Sequence, residues 1–252
     1  MISILKKKCF LKIEEIYFAE ENNLIKGKNN ADVIINVQAA KRDKNSKEFH
    51  TLILNLTKDE EQLLSEMGRG TRRKVKSASN KGELKTVVFN KPSIEDIKRF
   101  EEFYNIFAMT KKLKKCDVKK ILSLKDENAI SISVVYDMKN NPLCYHLYIV
   151  DKYRVRLLYS ASHYRLNNST EYRSFVGIAH RYLHWNDIKH FKSCRYLTYD
   201  FGGLSTDLNN EELQNVNRFK EEFGGSRLVE YNSYKGVTIK GKIAIKVLKK
   251  GK

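Results

Sequence analysis

The chain has 252 residues, 41% of them hydrophobic, enough apolar material to bury a real core. Two prolines, 12 glycines and 11% aromatics exclude a disordered, collagen-like or linker-dominated protein. Lys plus Arg total 48 against 30 Asp plus Glu, and the resulting +18 favours phosphorylated partners over basic ones, although lysines spread along the sequence also make an ordinary solvated surface.

No run approaches the ~18 consecutive apolar residues of a membrane span, and Met1-Ile2-Ser3-Ile4-Leu5-Lys6-Lys7-Lys8 lacks the long apolar segment of a signal peptide. A cytoplasmic protein is expected. Cys9, Cys116, Cys144 and Cys194 are far apart, and the pairs Cys144/His146 and His190/Cys194 are too few for a zinc pattern, so reduced thiols and no metal are expected.

Up to Lys47 the signal is mixed, with strands expected at Cys9–Ile16 and Ala31–Val37 around the polar run Glu20–Asn30. Thr51–Leu56 alternates as a strand, and Thr57-Lys58-Asp59-Glu60 fits a capping box opening a helix through Leu63, Leu64 and Met67. After Gly68 and Gly70 a strongly basic segment runs from Thr71 to near Gly82, where Arg69, Arg72, Arg73 and Lys76 suit bidentate phosphate contacts. A nucleotide diphosphate, a tRNA backbone or solvent alone would each satisfy that cluster.

Leu84–Phe89 reads as a strand, and Ile94, Ile97, Phe100, Phe103 and Phe107 mark one buried face of a helix. Ile130–Tyr136, Leu143–Val150 and Arg154–Ser160 follow with short links, predicting an antiparallel meander. A long helix from Ser169-Thr170, a strand at Arg195–Phe201, a helix over Glu211–Glu222 and a strand near Leu228–Tyr231 complete an α/β pattern with mixed strand directions. No Walker loop, H-E-x-x-H, G-x-S-x-G or D-x-D-x-D-G pattern occurs.

Two segments carry a resemblance. Gly68-Arg69-Gly70-Thr71-Arg72-Arg73-Lys74-Val75-Lys76 resembles the Arg-rich helix of the Fem-type (FemABX-like) peptidyltransferases, and Tyr199-Asp200-Phe201-Gly202-Gly203 with Asn217-Arg218-Phe219-Lys220-Glu221-Glu222-Phe223-Gly224-Gly225 resembles their C-terminal signature. With the element order, this is similar to the Gcn-five-related N-acetyltransferase (GNAT) fold over about Thr51 to Tyr231. The expected fold is therefore a GNAT-like mixed, mainly antiparallel sheet layered with helices. Fem-type enzymes carry two GNAT-like units, so 252 residues suggest one such domain over 1–252, with residues 1–50 a candidate N-terminal decoration.

The resemblance implies acyl transfer to an amine without a covalent enzyme intermediate, which requires juxtaposition, a proton acceptor and oxyanion stabilisation. Asp200 and His163 are the candidate bases, and Tyr199 a candidate proton donor. The Phe-Lys motif implies a positive charge from Lys220 near the reacting carbonyl or acceptor phosphate, with Phe219 packing beside it. For a coenzyme A donor the nearest match to the GNAT pyrophosphate motif is Arg173-Ser174-Phe175-Val176-Gly177-Ile178-Ala179, one residue too long, at the start of a helix that can capture anions.

The short length points to an N-acyltransferase using acyl-coenzyme A to acylate a nucleotide-linked amino sugar in cell-surface polysaccharide (O-antigen-type) synthesis. An aminoacyl-tRNA-dependent Fem-type transferase acting on a peptidoglycan precursor is the alternative that the charge supports. A noncatalytic RNA- or anion-binding module on the same scaffold is a third. A homo-oligomer is compatible with all three.

Overall fold

The structure is a computed structural model that describes residues 1–19, 30–44 and 46–250. The polar run Glu20–Asn30 lies, apart from Asn30, outside the described residues. The chain divides into two compact units: residues 1–51, 119–129 and 227–252 form one, and residues 52–118 and 130–226 the other.

In the first unit β1 (Ile2–Lys8) and β2 (Leu11–Tyr17) form an antiparallel hairpin, β3 (Val33–Ala39) runs parallel to β2, and β10 (Ser226–Gly236) pairs antiparallel with β3. Ile16, Ala19, Ala31, Ile34 and Ala39 make a small core. The helices α4 (Val118–Asp126) and α7 (Ile239–Lys250) were not expected from sequence, nor was β1. α4 is only nine residues long, the β-branched Ile and Val of α7 suit a strand as well as a helix, and β1 alternates only over its first half.

The second unit orders its strands β4 (Lys47–Asn55), β9 (Thr198–Gly203), β8 (Arg154–Ser162), β7 (Pro142–Val150), β6 (Ile130–Asp137) and β5 (Leu84–Phe89). The β6-β7-β8 meander is antiparallel as expected, β5 joins β6 antiparallel, and β8 and β9 are parallel. Around them lie α1 (Glu60–Glu66), α2 (Arg69–Lys81), α3 (Ile94–Thr110), α5 (Thr170–Ser193) and α6 (Glu211–Glu221). The result is a mixed, mostly antiparallel sheet layered with helices, the GNAT-like class that the element order predicts.

The capping box of α1 differs from the expected one. Asp59, not Thr57, is the N-cap, accepting from the Gln62 backbone while the Gln62 side chain returns to Asp59. The spacing is the same but the frame moves by two residues, because Thr57 is held instead by the Asn55 side chain.

β7 is buried on both faces and thereby aims alternate side chains at different helices. Cys144, His146 and Tyr148 face α5, whereas Tyr145 meets Phe100 and Phe103 of α3. The core on the α5 side continues through Trp185, Ile188, Phe191, Tyr199, Phe201 and Phe223. Gly225, in the expected signature, has φ +89°, and a Cβ there would lie 2.4 Å from the Ile53 carbonyl oxygen, so only glycine fits where this loop crosses β4.

Candidate functional site

The parallel ladder of β8 and β9 is short, ending at Arg156↔Asp200. Just beyond, Leu158 is left over between the pairs Leu147↔Tyr159 and Tyr148↔Leu157, a bulge that re-aims the rest of β8. Past this point Leu157, Ser160 and Ser162 of β8 and Phe201 of β9 wall a cavity of about 530 Å³. His180 and His184 of α5, Phe219 and Lys220 of α6, and Phe107 and Lys111 at the end of α3 line the rest with the 164–165 loop. Ligand pockets of enzymes commonly fall in this range of a few hundred Å³.

Lys220 projects into this cavity, its Nζ donating to the carbonyl oxygens of Gly203 (2.6 Å) and Gly202 (3.4 Å). Burial lowers its pKa to about 8, against the pull of Asp200. Phe219 stacks on His180 with ring centroids 5.0 Å apart, also meets His184 and Phe223, and carries the Arg181 guanidinium 4.8 Å from its ring centre. The expected Phe-Lys pair thus stands on the cavity wall.

Asp200 is elsewhere in its chemistry. Its Oδ2 accepts from Arg154 Nε (3.1 Å) and Nη2 (2.6 Å), and its Oδ1 accepts from the Gly202 backbone (2.7 Å), with the carboxylate fully buried. This carboxylate shapes the turn that carries Gly202 (φ +72°), where a Cβ would meet the Leu157 carbonyl oxygen at 2.7 Å. Both oxygens of Asp200, the expected base, are thus engaged by Arg154 and the Gly202 backbone, and Asp200 is not among the residues lining the cavity.

His163 also falls outside the cavity. It stacks on Phe103, centroids 3.5 Å apart, beside a separate depression with Arg99, Glu102 and Tyr136. Burial lowers its pKa, with only the Phe103 carbonyl opposing. The structure therefore places His163 and Lys220, both expected at one site, in separate depressions.

Sequence reading passed over the histidines that the cavity does contain. His180 and His184 are one turn apart on α5 and meet His146 from β7. His146 and His180 place their Nε2 atoms 3.1 Å apart, and Ser160 Oγ lies 2.9 Å from His180 Nε2. Beneath them Asp187 Oδ2 takes hydrogen bonds from Ser133 (2.9 Å), His146 Nδ1 (2.7 Å) and Tyr148 (2.6 Å). Tyr199, expected as a proton donor to a leaving group, is fully buried in this network, 2.7 Å from the Tyr148 hydroxyl and 2.9 Å from His184 Nδ1. It orients His184 and does not line the cavity.

Burial dominates these groups. It pushes His146 down to about 3 and His180 and His184 well below the ordinary imidazole value, so all three are neutral. Burial raises Asp187 to about 7 in spite of its donors.

Arg69, Arg72, Arg73 and Lys76 come together as expected, lining with Ser77, Asn80 and Lys81 an open depression of about 610 Å³ along α2. The start of α2 is tied down by the Gly68 N–H donating to the Glu222 carbonyl oxygen and by Glu222 Oε2 accepting from Thr71 and Arg181. Arg173 and Gly177, the expected coenzyme A contacts, are arranged otherwise. Arg173 donates to the Asn167 carbonyl and the Asn168 side chain, and Gly177 lies mid-helix with no close neighbour that would demand glycine.

Among the described residues no helix is long and apolar enough to cross a membrane. No curated protein matches the sequence. A FemAB family model matches residues 119–231. A crystal structure of FemX superposes with a TM-score of 0.62 at 15% identity, covering 91% of this chain and 83% of that one. The C-terminal domain of a proposed lysylphosphatidylglycerol synthetase from Agrobacterium fabrum gives 0.56 at 10% identity, covering 96% and 83%. L-PGS from Bacillus licheniformis gives 0.51 at 14% identity, covering 85% and 71%. The partial family match and the superposition on FemX give this chain the fold shared with FemX, a mixed sheet layered with helices.

Proposed function

We propose that the chain transfers an aminoacyl group from aminoacyl-tRNA to an amine held in the cavity beside Lys220. The observation that carries this reading is Lys220 on the cavity wall, a half-buried cation with a pKa of about 8, opposite neutral imidazoles. The amine nitrogen attacks the ester carbonyl carbon, the C–O bond to the ribose breaks, and an amide forms. The Lys220 ammonium neutralises the oxyanion of the tetrahedral intermediate, and a neutral imidazole of His180 or His184 accepts the proton that the amine must lose. The departing ribose oxygen is reprotonated.

The choice of donor is supported by the α2 depression, whose five cations suit a polyphosphate backbone. Aminoacyl transfer is also what the name lysylphosphatidylglycerol synthetase denotes for one structural neighbour. A peptidoglycan precursor is the acceptor consistent with the Fem-type match.

The second reading changes the donor to acyl-coenzyme A and the acceptor to a nucleotide-linked amino sugar. In its favour, the 24-residue α5 begins just past β8, with Arg173 in its first turn, where backbone N–H groups can hold a pyrophosphate. Arg173 would first have to leave Asn167 and Asn168.

Mass spectrometry of reactions supplied with aminoacyl-tRNA or with acyl-coenzyme A, each over a series of salt concentrations, tests both. An amide product from aminoacyl-tRNA that falls steeply with salt is expected. Product from acyl-coenzyme A with matching thiol release would replace the first reading with the second, and binding of tRNA without any product would favour a noncatalytic module.

A further inference from the structure

His180 and His184 do more than line the cavity, because the buried His146 meets them from behind. One ring nitrogen from each of His146, His180 and His184 lies within 4.8 Å of the others, and the His146 and His180 Nε2 atoms are 3.1 Å apart. Two nitrogens bound at about 2.0–2.1 Å to one tetrahedral ion are about 3.3 Å apart, so that pair already has a ligand spacing.

The hydrogen bonds beneath them fix the tautomers of His146 and His184, and in the ion-free chain the His146 Nε2 lone pair accepts from His180 Nε2–H, a proton that metal binding displaces. Asp187 Oδ2 is an acceptor for Ser133, Tyr148 and His146, so the His146 proton sits on Nδ1 and its Nε2 carries the lone pair. Tyr148 spends its proton on Asp187, so Tyr199 donates to the Tyr148 oxygen, and His184 in turn donates its Nδ1–H to Tyr199. His184 Nε2 is thereby left as a lone pair as well. A carboxylate behind one ligand and a phenol behind another are the supports that orient imidazoles on a metal.

The geometry points to a divalent transition-metal site, best suited to zinc, formed by His146, His180 and His184 with its fourth position open to the cavity. Three imidazoles and one open position form a recognised zinc donor set. The inference does not depend on the proposed acyl transfer, because binding can be read without turnover. Metal binding and proton acceptance draw on the same nitrogens, so in a metal-loaded chain the amine's proton would pass instead to water or hydroxide at the fourth position.

The test is zinc titration of untagged, chelator-dialysed protein against a chromophoric competitor, with cobalt(II) in parallel for its visible absorption. One ion per chain is expected, with a tetrahedral cobalt spectrum. His180→Asn, at the half-buried member, and His146→Ala should each weaken binding by 100-fold or more, and Asp187→Asn by about 10–100-fold. His190 and Cys194 form an exposed pair, Sγ to Nε2 3.6 Å, that could bind metal on its own, so Cys194→Ser is the control and should leave the site intact. Absence of stoichiometric binding by the folded wild type would overturn the proposal. So would binding that persists unchanged in folded His180→Asn, or that disappears in Cys194→Ser.

Discussion

Arg154 holds Asp200 through two nitrogens on a single carboxylate oxygen, at 3.1 and 2.6 Å. The pair is buried on the carboxylate side and sets the turn from which Lys220 takes two backbone carbonyls. Asp200→Asn leaves the guanidinium without its counter-charge in a largely buried place, which typically costs about 3–5 kcal/mol. A drop of roughly 6 °C or more in melting temperature is expected, given about 2–4 °C per kcal/mol for a chain of this size. A variant that melted like the wild type but lost turnover would return Asp200 to the role of base.

Lys220→Met should lower kcat by about 10²–10³ without a comparable loss of stability, because it removes a charge used at the oxyanion. The pH profile gives a second readout. The protonated form is the active one, so the rate should fall as pH rises through about 8, where Lys220 loses its proton. Lys220→Arg stays charged and should lose that alkaline limb in whatever activity it retains.

Stability should fall on acidification. His146, His180 and His184 have folded pKa values below the unfolded value of about 6.5, so the unfolded chain binds their protons first. Asp187 works the other way, since its folded pKa of about 7 lets the native state take a proton that the unfolded carboxylate refuses until about pH 4. Three histidines against one aspartate give a net loss of about 2 kcal/mol between pH 7.5 and 5.5. His163 and His190, also lowered, add to it. Denaturant unfolding at the two pH values measures the difference, and a more stable protein at pH 5.5 would contradict the buried neutral network.

Replacing Arg72, Arg73 and Lys76 together by Ala should weaken tRNA binding and reduce the slope of log affinity against log salt by about one for each phosphate left unneutralised. The α2 residues face an open depression rather than the core, so the melting temperature should hold. An unchanged salt slope would mean that the basic face is solvated and idle.

Much of the fold could be read from residue patterns because those patterns are local. The Phe100-Phe103-Phe107 spacing marks α3, and the short links around Pro142 and Asp151 mark the β6-β7-β8 meander. The Arg-rich α2 and the Phe219-Lys220 pair were likewise found from sequence, and both line depressions. For Asp200, His163 and Tyr199 the residue pattern left open which partner each side chain reaches, and the structure gives those partners as Arg154, Phe103, and Tyr148 with His184.

The sequence by itself determined the class of the sheet, the order of its main elements and the basic face through propensity, periodicity or charge within a few residues, and the Phe-Lys pair through its resemblance to the Fem-type signature. Tertiary structure decided that Asp200 is tied to Arg154, that His163 stacks on Phe103, and that His146 meets His180 and His184. The i, i+4 spacing of the last two was a weak signal, because one apolar-flanked helix face is ordinarily core. The third histidine lies 34 residues away, and only the burial of β7 beneath α5 brings it to Asp187 and His180, where exclusion of water sets its charge.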